Sequence, residues 1–150
     1  MNKIVVGVDG SPSSRRALAW ALDEAGTHGA LVEVLYAYAN LQTALPYTIE
    51  EMIDEMPAHK IEEAGHRLIE DMLNDVRVPA GVRVEAVVVE GPPANALVQR
   101  STDTDLIVVG SRGHGGFSEL LMGSVSHQTA LHAGCPVTIV PHENARVTAS

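Results

Sequence analysis

Ile4-Val5-Val6-Gly7-Val8-Asp9-Gly10-Ser11-Pro12 opens the chain with an apolar, mostly β-branched run that stops abruptly at an aspartate, a glycine and a serine-proline pair. A run with no polar alternation is the pattern of a strand covered on both faces, as in a parallel sheet. Ser11 is placed to cap a helix and Pro12 to fill its first position, where the missing N–H costs nothing. Ala17, Leu18, Ala21, Leu22 and Ala25 follow at helical spacing, and Gly26 or Gly29 ends the helix.

Outward from this unit, strand and helix keep alternating. Leu31 to Tyr38 is a second apolar run, followed by an irregular stretch from Asn40 to Pro57 that holds Glu50, Glu51, Asp54 and Glu55 beside Met52, Ile53 and Met56. From about His59, Ile61, Ala64, Leu68, Met72 and Val76 form one stripe of an amphipathic helix, which Pro79 and Gly81 end. Val82 to Val89 makes a third strand, a short helix runs from Pro92 and Pro93 to Arg100, and Asp105 to Val109 makes a fourth strand. A last helix is expected from about Ser118 to Ala133, stopped by Gly134, and Pro136 to Val140 gives a fifth strand. Strands alternating with helices at this spacing, joined by right-handed crossovers, predict an α/β fold: one doubly wound, Rossmann-like domain with a five-stranded parallel sheet and helices on both faces. The domain takes in residues 1–150, with an ordered core of about 2–141 and a flexible tail, 142–150. Ligands in such folds bind beyond the carboxyl ends of the strands, which directs attention to the loops after the first and fourth strands.

Composition narrows the partners. A chain of 150 residues buries roughly 68–70% of its unfolded surface, enough for a core without metal or disulfide staples. The single cysteine, Cys135, can form no internal disulfide, and a cytoplasmic location is the expectation. The N-terminal apolar run is too short for a signal peptide and no stretch approaches a membrane span, so no membrane partner is expected. Nineteen acidic residues against ten Lys and Arg give a net charge of −9, the wrong sign for a phosphate backbone, and five aromatics offer few stacking platforms. Nucleic acid is not expected as a partner.

The richest signal follows the fourth strand: Gly110-Ser111-Arg112-Gly113-His114-Gly115-Gly116-Phe117-Ser118, then Gly123-Ser124-Val125-Ser126. Glycines let a ligand approach the main chain, and successive N–H groups can converge on phosphate oxygens, helped by a helix N-terminus. The alternative is a flexible loop whose glycines only serve turns. No Lys follows a glycine here, so this is no Walker loop, and the absence of Gly-x-Gly-x-x-Gly after the first strand gives a nicotinamide cofactor little support. Gly123 falls inside the expected last helix, where glycine costs on the order of 1 kcal/mol relative to alanine. Either that helix starts later or Gly123 admits a ligand. His114 has no evident partner for acid–base work, and His127 and His132 do not share a helix face at metal-ligand spacing. Cys135 reads as a small core residue.

Gly110, Gly113, Gly123 and Ser124 are spaced as Gly, two residues, Gly, nine residues, Gly, Ser. In this the chain resembles the universal stress proteins, specifically their ATP-binding branch, whose fold is of the adenine nucleotide alpha hydrolase-like type. Ile4 to Ser11, Asp105 to Gly110 and Cys135-Pro136-Val137 extend the resemblance over nearly the whole sequence, leaving out Asn40 to Pro57 and the tail. The resemblance implies an adenine nucleotide, ATP with Mg, across the carboxyl ends of the strands. Gly110 and Gly113 then present backbone to the ribose and phosphates, and Gly123, Ser124 and Val125 bind the phosphate tail. Asp9 lies near the ribose or a phosphate-bound Mg ion, for which a carboxylate is a suitable hard ligand. Ala37 reads the adenine edge through its backbone, and Gly7, Val109 and Gly116 complete the set. Arg112, the only cation in the glycine loop, either offsets phosphate charge or is a solvated arginine. Asp9 also suits a turn or cap ahead of Pro12, a role compatible with cation contact.

The resemblance further implies a homodimer paired through the last strand, where Val137, Ile139 and Val140 form an apolar edge better covered than exposed. Three functions follow: a nucleotide-dependent regulatory protein of the stress response with little or no turnover, a slow Mg-dependent ATPase, and a nucleotide-free interaction module. The intact glycine signature speaks against the third. The lack of a catalytic lysine and of a water-positioning base speaks against the second. Adenylate-forming enzymes of similar architecture need an N-terminal motif for which Asp9-Gly10-Ser11 is too little.

Overall fold

Five parallel strands form one sheet in the order β3-β2-β1-β4-β5. The computed structural model describes residues 1–38, 58–112 and 122–141. Along the chain these are β1 (Lys3–Val8), α1 (Pro12–His28), β2 (Leu31–Tyr38), α2 (Ala58–Asn74), β3 (Val84–Glu90), α3 (Pro93–Arg100), β4 (Leu106–Gly110), α4 (Ser124–His132) and β5 (Val137–Val140). The chain winds outward from β1 to β2 and β3, then crosses back to place β4 on the other side of β1. Val5 therefore lies opposite both Glu33 and Ile107.

Two-sided burial explains the unbroken apolar runs. Ile4, Val6 and Val8 alternate onto one face with Val32 and Val34, against Ala17, Leu18, Ala21 and Leu22 of α1 and Ile69 and Met72 of α2. Val5, Leu35, Ile107 and Val109 point to the other face, covered by Leu97 of α3 and flanked by Val125 of α4. Among the described residues no helix is long and apolar enough to cross a membrane.

Local chemistry sets the ends of α1. Ser11 caps it by accepting the Ser14 N–H at 3.2 Å, Pro12 is its first residue, and Gly29 ends it in the left-handed conformation at φ 68°. The helix runs through Gly26, so of the two expected stops the second operates.

Two helices depart from their expected patterns. In α2, Ala64 is exposed and Val76 lies beyond the last helical residue, while Gly65, absent from the expected stripe, faces the sheet. A Cβ at Gly65 would lie 2.8 Å from Val88 Cγ1 and 2.9 Å from Tyr36 Cδ1. The glycine acts as an apolar position because its missing side chain lets helix and sheet meet, something hydrophobic periodicity cannot register. The last helix does not run from Ser118 to Ala133: Met122 and Gly123 are non-helical, Gly123 is the N-cap, and α4 ends at His132. Strand limits shift by a residue or two, as with β3 beginning at Val84 rather than Val82. The acidic stretch from Glu50 to Glu55, His114 and the tail 142–150 lie outside the described residues.

β5 is the edge strand, as the dimer expectation requires, yet its apolar side chains do not line the edge together. Val140 is buried with the α1 face, whereas Val137 and Ile139 pack on the opposite face. Side chains alternate across a strand, so the free edge itself consists of backbone N–H and C=O groups.

The amino ends of the neighbouring strands β1 and β4 are tied by one carboxylate. Asp105 Oδ2 accepts the backbone N–H groups of Asn2 at 2.7 Å and Lys3 at 3.0 Å, and these two bonds hold its pKa below the ordinary 3.8. A depressed folded-state pKa contributes stability that is present above the unfolded pKa and is lost as pH falls through the folded one. Asp105→Asn is therefore expected to reduce the drop in urea midpoint between about pH 5 and pH 3. A drop equal to that of the unaltered chain would refute this role.

Candidate functional site

The carboxyl ends of β1 and β4 meet where the chain reverses its winding direction, and a cleft opens there. Such a switch point separates the loops that leave the two strands, one toward each face, and leaves a crevice between them. The cleft has a volume of about 190 Å³. Gly7, Val8, Asp9 and Ser14 line it from the first strand–helix unit, Leu35 and Ala37 from β2, and Pro93 and Leu97 from α3. Val109, Gly110 and Arg112 close it from β4, and Gly123, Ser124, Val125 and Ser126 from the start of α4.

Nine sequence-predicted site residues, Gly7, Asp9, Ala37, Val109, Gly110, Arg112, Gly123, Ser124 and Val125, thus meet around one cavity. Gly113 and Gly116 lie outside the described residues. Sequence reading missed Val8, Ser14, Leu35, Pro93, Leu97 and Ser126. Leu35 was within reach, since it sits two residues before Ala37 and so on the same face of β2. Pro93 and Leu97 are one helical turn apart, but only the crossover from β3 brings that turn over the sheet.

The cleft has two chemically distinct ends. Leu35, Ala37, Pro93, Leu97 and Val125 are aliphatic and can hold a flat apolar group. At the other end, Gly123 is the N-cap of α4 and has no side chain with which to bond the first-turn amides. Unsatisfied N–H groups at a helix N-terminus, together with the positive end of the helix dipole, favour an anion. The Ser126 hydroxyl does not supply the cap either, because it donates back to the Gly123 carbonyl at 2.9 Å. Gly123 N–H donates to the Ser111 carbonyl at 2.7 Å, which fixes the helix start against the loop leaving β4.

Asp9 performs the turn role read from sequence. Its Oδ1 accepts the Ser11 N–H at 2.9 Å, and its own N–H donates to Ser14 Oγ at 3.3 Å. The carboxylate is thereby held at the cleft wall. Among the described residues no group of three or more His, Cys, Asp or Glu is arranged to hold a metal. A divalent ion fits only in the manner of Mg, with one carboxylate and the remaining oxygens from phosphates and water. Asp9 and Arg112 are the only charged residues among the described lining. His127 and His132 are both exposed. Cys135 packs beside Ile107 and Val109, and burial pushes its thiol pKa up, as expected of a packing residue rather than a nucleophile.

Gly110 has a structural reason that the glycine spacing does not reveal. A Cβ there would meet Ser13 Oγ and lie 2.8 Å from both the carbonyl carbon and oxygen of Ser13. Ser13 is buried in the first turn of α1, and its hydroxyl accepts the Arg112 N–H at 3.2 Å. The glycine therefore allows α1 to press against the end of β4, forming the cleft wall.

Comparison with known proteins agrees along the whole length of the fold. The model of the family described as Universal stress protein family matches residues 1–141. Universal stress protein YxiE of Bacillus subtilis is 32% identical over 147 residues, covering 93% of this chain and 98% of that protein. Universal stress protein Rv2623 of Mycobacterium tuberculosis is 36% identical over 142 residues, 91% of this chain, which spans 44% of that longer protein. The crystal structure of a universal stress protein in complex with cAMP superposes with a TM-score of 0.65 at 27% identity, covering 93% of this chain and 95% of the other.

Because the atoms that a Gly110 side chain would strike belong to the Ser13 backbone, Gly110→Ala is expected to destabilise the fold by about 1–3 kcal/mol, the usual cost of overpacking. Urea unfolding without any ligand measures it. An unchanged midpoint would show that the glycine serves only the cleft.

Proposed function

The chain belongs to the universal stress protein family, and from that footing we propose that it is an ATP-binding regulatory protein of the stress response, acting as a cytoplasmic homodimer with little or no turnover. The observation that carries this reading is the junction of the α4 N-terminus, whose N-cap Gly123 has no capping side chain, with an aliphatic slot in one cleft. The phosphates sit on the first-turn amides of Ser124, Val125 and Ser126, beside Gly110 and the Arg112 guanidinium. The adenine lies among Leu35, Ala37, Pro93 and Leu97, with its edge read by the Ala37 main chain. Gly113, by its signature position, and Gly116, by the family resemblance, join the phosphate and ribose contacts. With Mg bound to the phosphates, Asp9 supplies the carboxylate oxygen nearest the metal.

A related structure crystallised with cAMP supports an adenine nucleotide, and the glycine-serine signature supports ATP among them. Binding is favoured over hydrolysis because, among the described lining residues, there is neither a lysine for the phosphates nor a second carboxylate for water. Backbone amides and a helix terminus also explain how a chain of net charge −9 accommodates a polyanion.

Chromatography of the nucleotide released when freshly purified protein is denatured is expected to yield ATP. No nucleotide, together with no uptake of added ATP and Mg, would overturn the reading. Ser124→Asp separates binding from folding. A carboxylate in the first turn of α4 is favourable to the helix but repels a phosphate, so ATP affinity should fall about tenfold with no loss of thermal stability. Equal affinity in the variant would place the phosphates elsewhere.

The homodimer is proposed through β5, whose free backbone edge can pair with its twin across a two-fold axis, burying the half-covered Val137 and Ile139 beside it. Sedimentation at micromolar concentration is expected to give twice the chain mass, and a monomeric mass would exclude the pairing.

A further inference from the structure

β2 carries a carboxylate among aliphatic neighbours. Glu33 lies between Val32 and Val34 on the sheet face that also bears Leu35, and it is only 2% exposed. Two cations hold it from different elements. Lys3 Nζ, at the start of β1, is 3.0 Å from Oε2, and Arg100 Nη1, at the end of α3, is 3.0 Å from Oε1. Neither Glu33 nor Arg100 lines the cleft.

Arg100 has more structural consequence than Lys3 because of the helix it belongs to. α3 has eight residues, its N-cap Pro92 offers no side-chain hydrogen bond, and Leu97 is its one fully buried residue. A helix this short has little stability of its own and takes its position from tertiary contacts. Leu97 packs over Gly7, where a Cβ would lie 3.0 Å from Leu97 Cδ1. Arg100 follows three residues later on the same side of the helix. The other tie at this end is Ser101, whose Oγ accepts the Gly134 N–H at 2.8 Å and so links α3 to the turn before β5 rather than to the sheet beneath. The ion pair to a buried carboxylate therefore adds electrostatic attraction between the end of α3 and β2 to the packing of Leu97 over Gly7.

We propose that the Glu33–Arg100 ion pair positions α3 as the aliphatic wall of the cleft, and that these two residues thereby set affinity for the adenosine part of the nucleotide without touching it. This rests on the nucleotide reading above. Pro93 and Leu97 transmit the effect, since both belong to α3 and both line the cleft. Lys3 provides an internal control: it pairs with the same carboxylate but anchors β1.

The test measures adenosine and ATP affinity by calorimetry, and amide hydrogen exchange of residues 93–100, in Arg100→Gln, Arg100→Lys and Lys3→Gln. Arg100→Gln is expected to weaken both ligands by about tenfold and to raise exchange in α3, within the range measured for coupled neighbouring groups. Arg100→Lys should recover most of the affinity. Lys3→Gln should change affinity less than about twofold even where it lowers the unfolding midpoint. Equal affinity losses in Arg100→Gln and Lys3→Gln would reduce the ion pair to general stabilisation, and unchanged affinity or unchanged α3 exchange in Arg100→Gln would overturn the proposal. Should the unaltered chain take up neither ligand, the nucleotide reading fails and the proposed effect on affinity with it; the exchange comparison then decides separately whether the ion pair positions α3.

Discussion

The close approach of the α1 N-terminus to the end of β4 is the contact on which the cleft depends. Gly110 meets the Ser13 main chain with no room for a side chain, and the Arg112 N–H closes the contact by bonding Ser13 Oγ. The first strand–helix turn and the loop leaving β4 are thus fixed side by side where the sheet reverses its winding direction. Asp9, held by the Ser11 amide, projects from one rim, and the Gly123 N-cap of α4 is hydrogen-bonded to Ser111 on the other. The first-turn amides of α4, which have no partner within their own helix, and the Asp9 carboxylate thereby meet around one cleft.

This arrangement reconciles an acidic chain with an anionic ligand. In the proposed binding mode, phosphate recognition draws on partial charges fixed in the backbone, chiefly the first-turn amides of α4, so it needs no positive net charge. The two charged residues in the described lining, Asp9 and Arg112, adjust that field locally. The aliphatic lining at the other end is consistent with the scarcity of aromatics: in the proposed mode a base in this cleft would be held by side-chain packing and main-chain hydrogen bonds rather than by stacking. The short helix α3 supplies much of that packing, and its placement returns to the buried Glu33 at the opposite end of the sheet.

Much of this was legible residue by residue. The unbroken run from Ile4 to Val8 announced a strand covered on both sides, because a sheet with helices on each face needs apolar residues at every position. Ser11-Pro12 and Gly29 marked the limits of α1 through cap and backbone conformation, which are local properties. The glycine spacing led to Gly110, Gly123 and Ser124 on the cleft wall, with Arg112 in the same loop, and, through the resemblance it carries, to Gly7, Asp9, Ala37, Val109 and Val125. Gly65 escaped because periodicity counts side chains and its contribution is the lack of one. The start of α4 was misplaced because Ser118 to Ala133 contains enough helix formers to extend the pattern, and nothing local shows that Gly123 is tied to Ser111.

By itself, then, the sequence determined the strand–helix alternation and the parallel sheet, since these follow from burial period and capping chemistry, while the glycine spacing and the resemblance it carries named nine of the residues that line the cleft. Tertiary structure alone decided that Gly110 is small for the sake of Ser13, that Leu97 lies over Gly7, and that Glu33 is reached by both Lys3 and Arg100. Those contacts join residues distant along the chain. Their energies depend on which surfaces the crossovers bring together, and no local pattern carries that information.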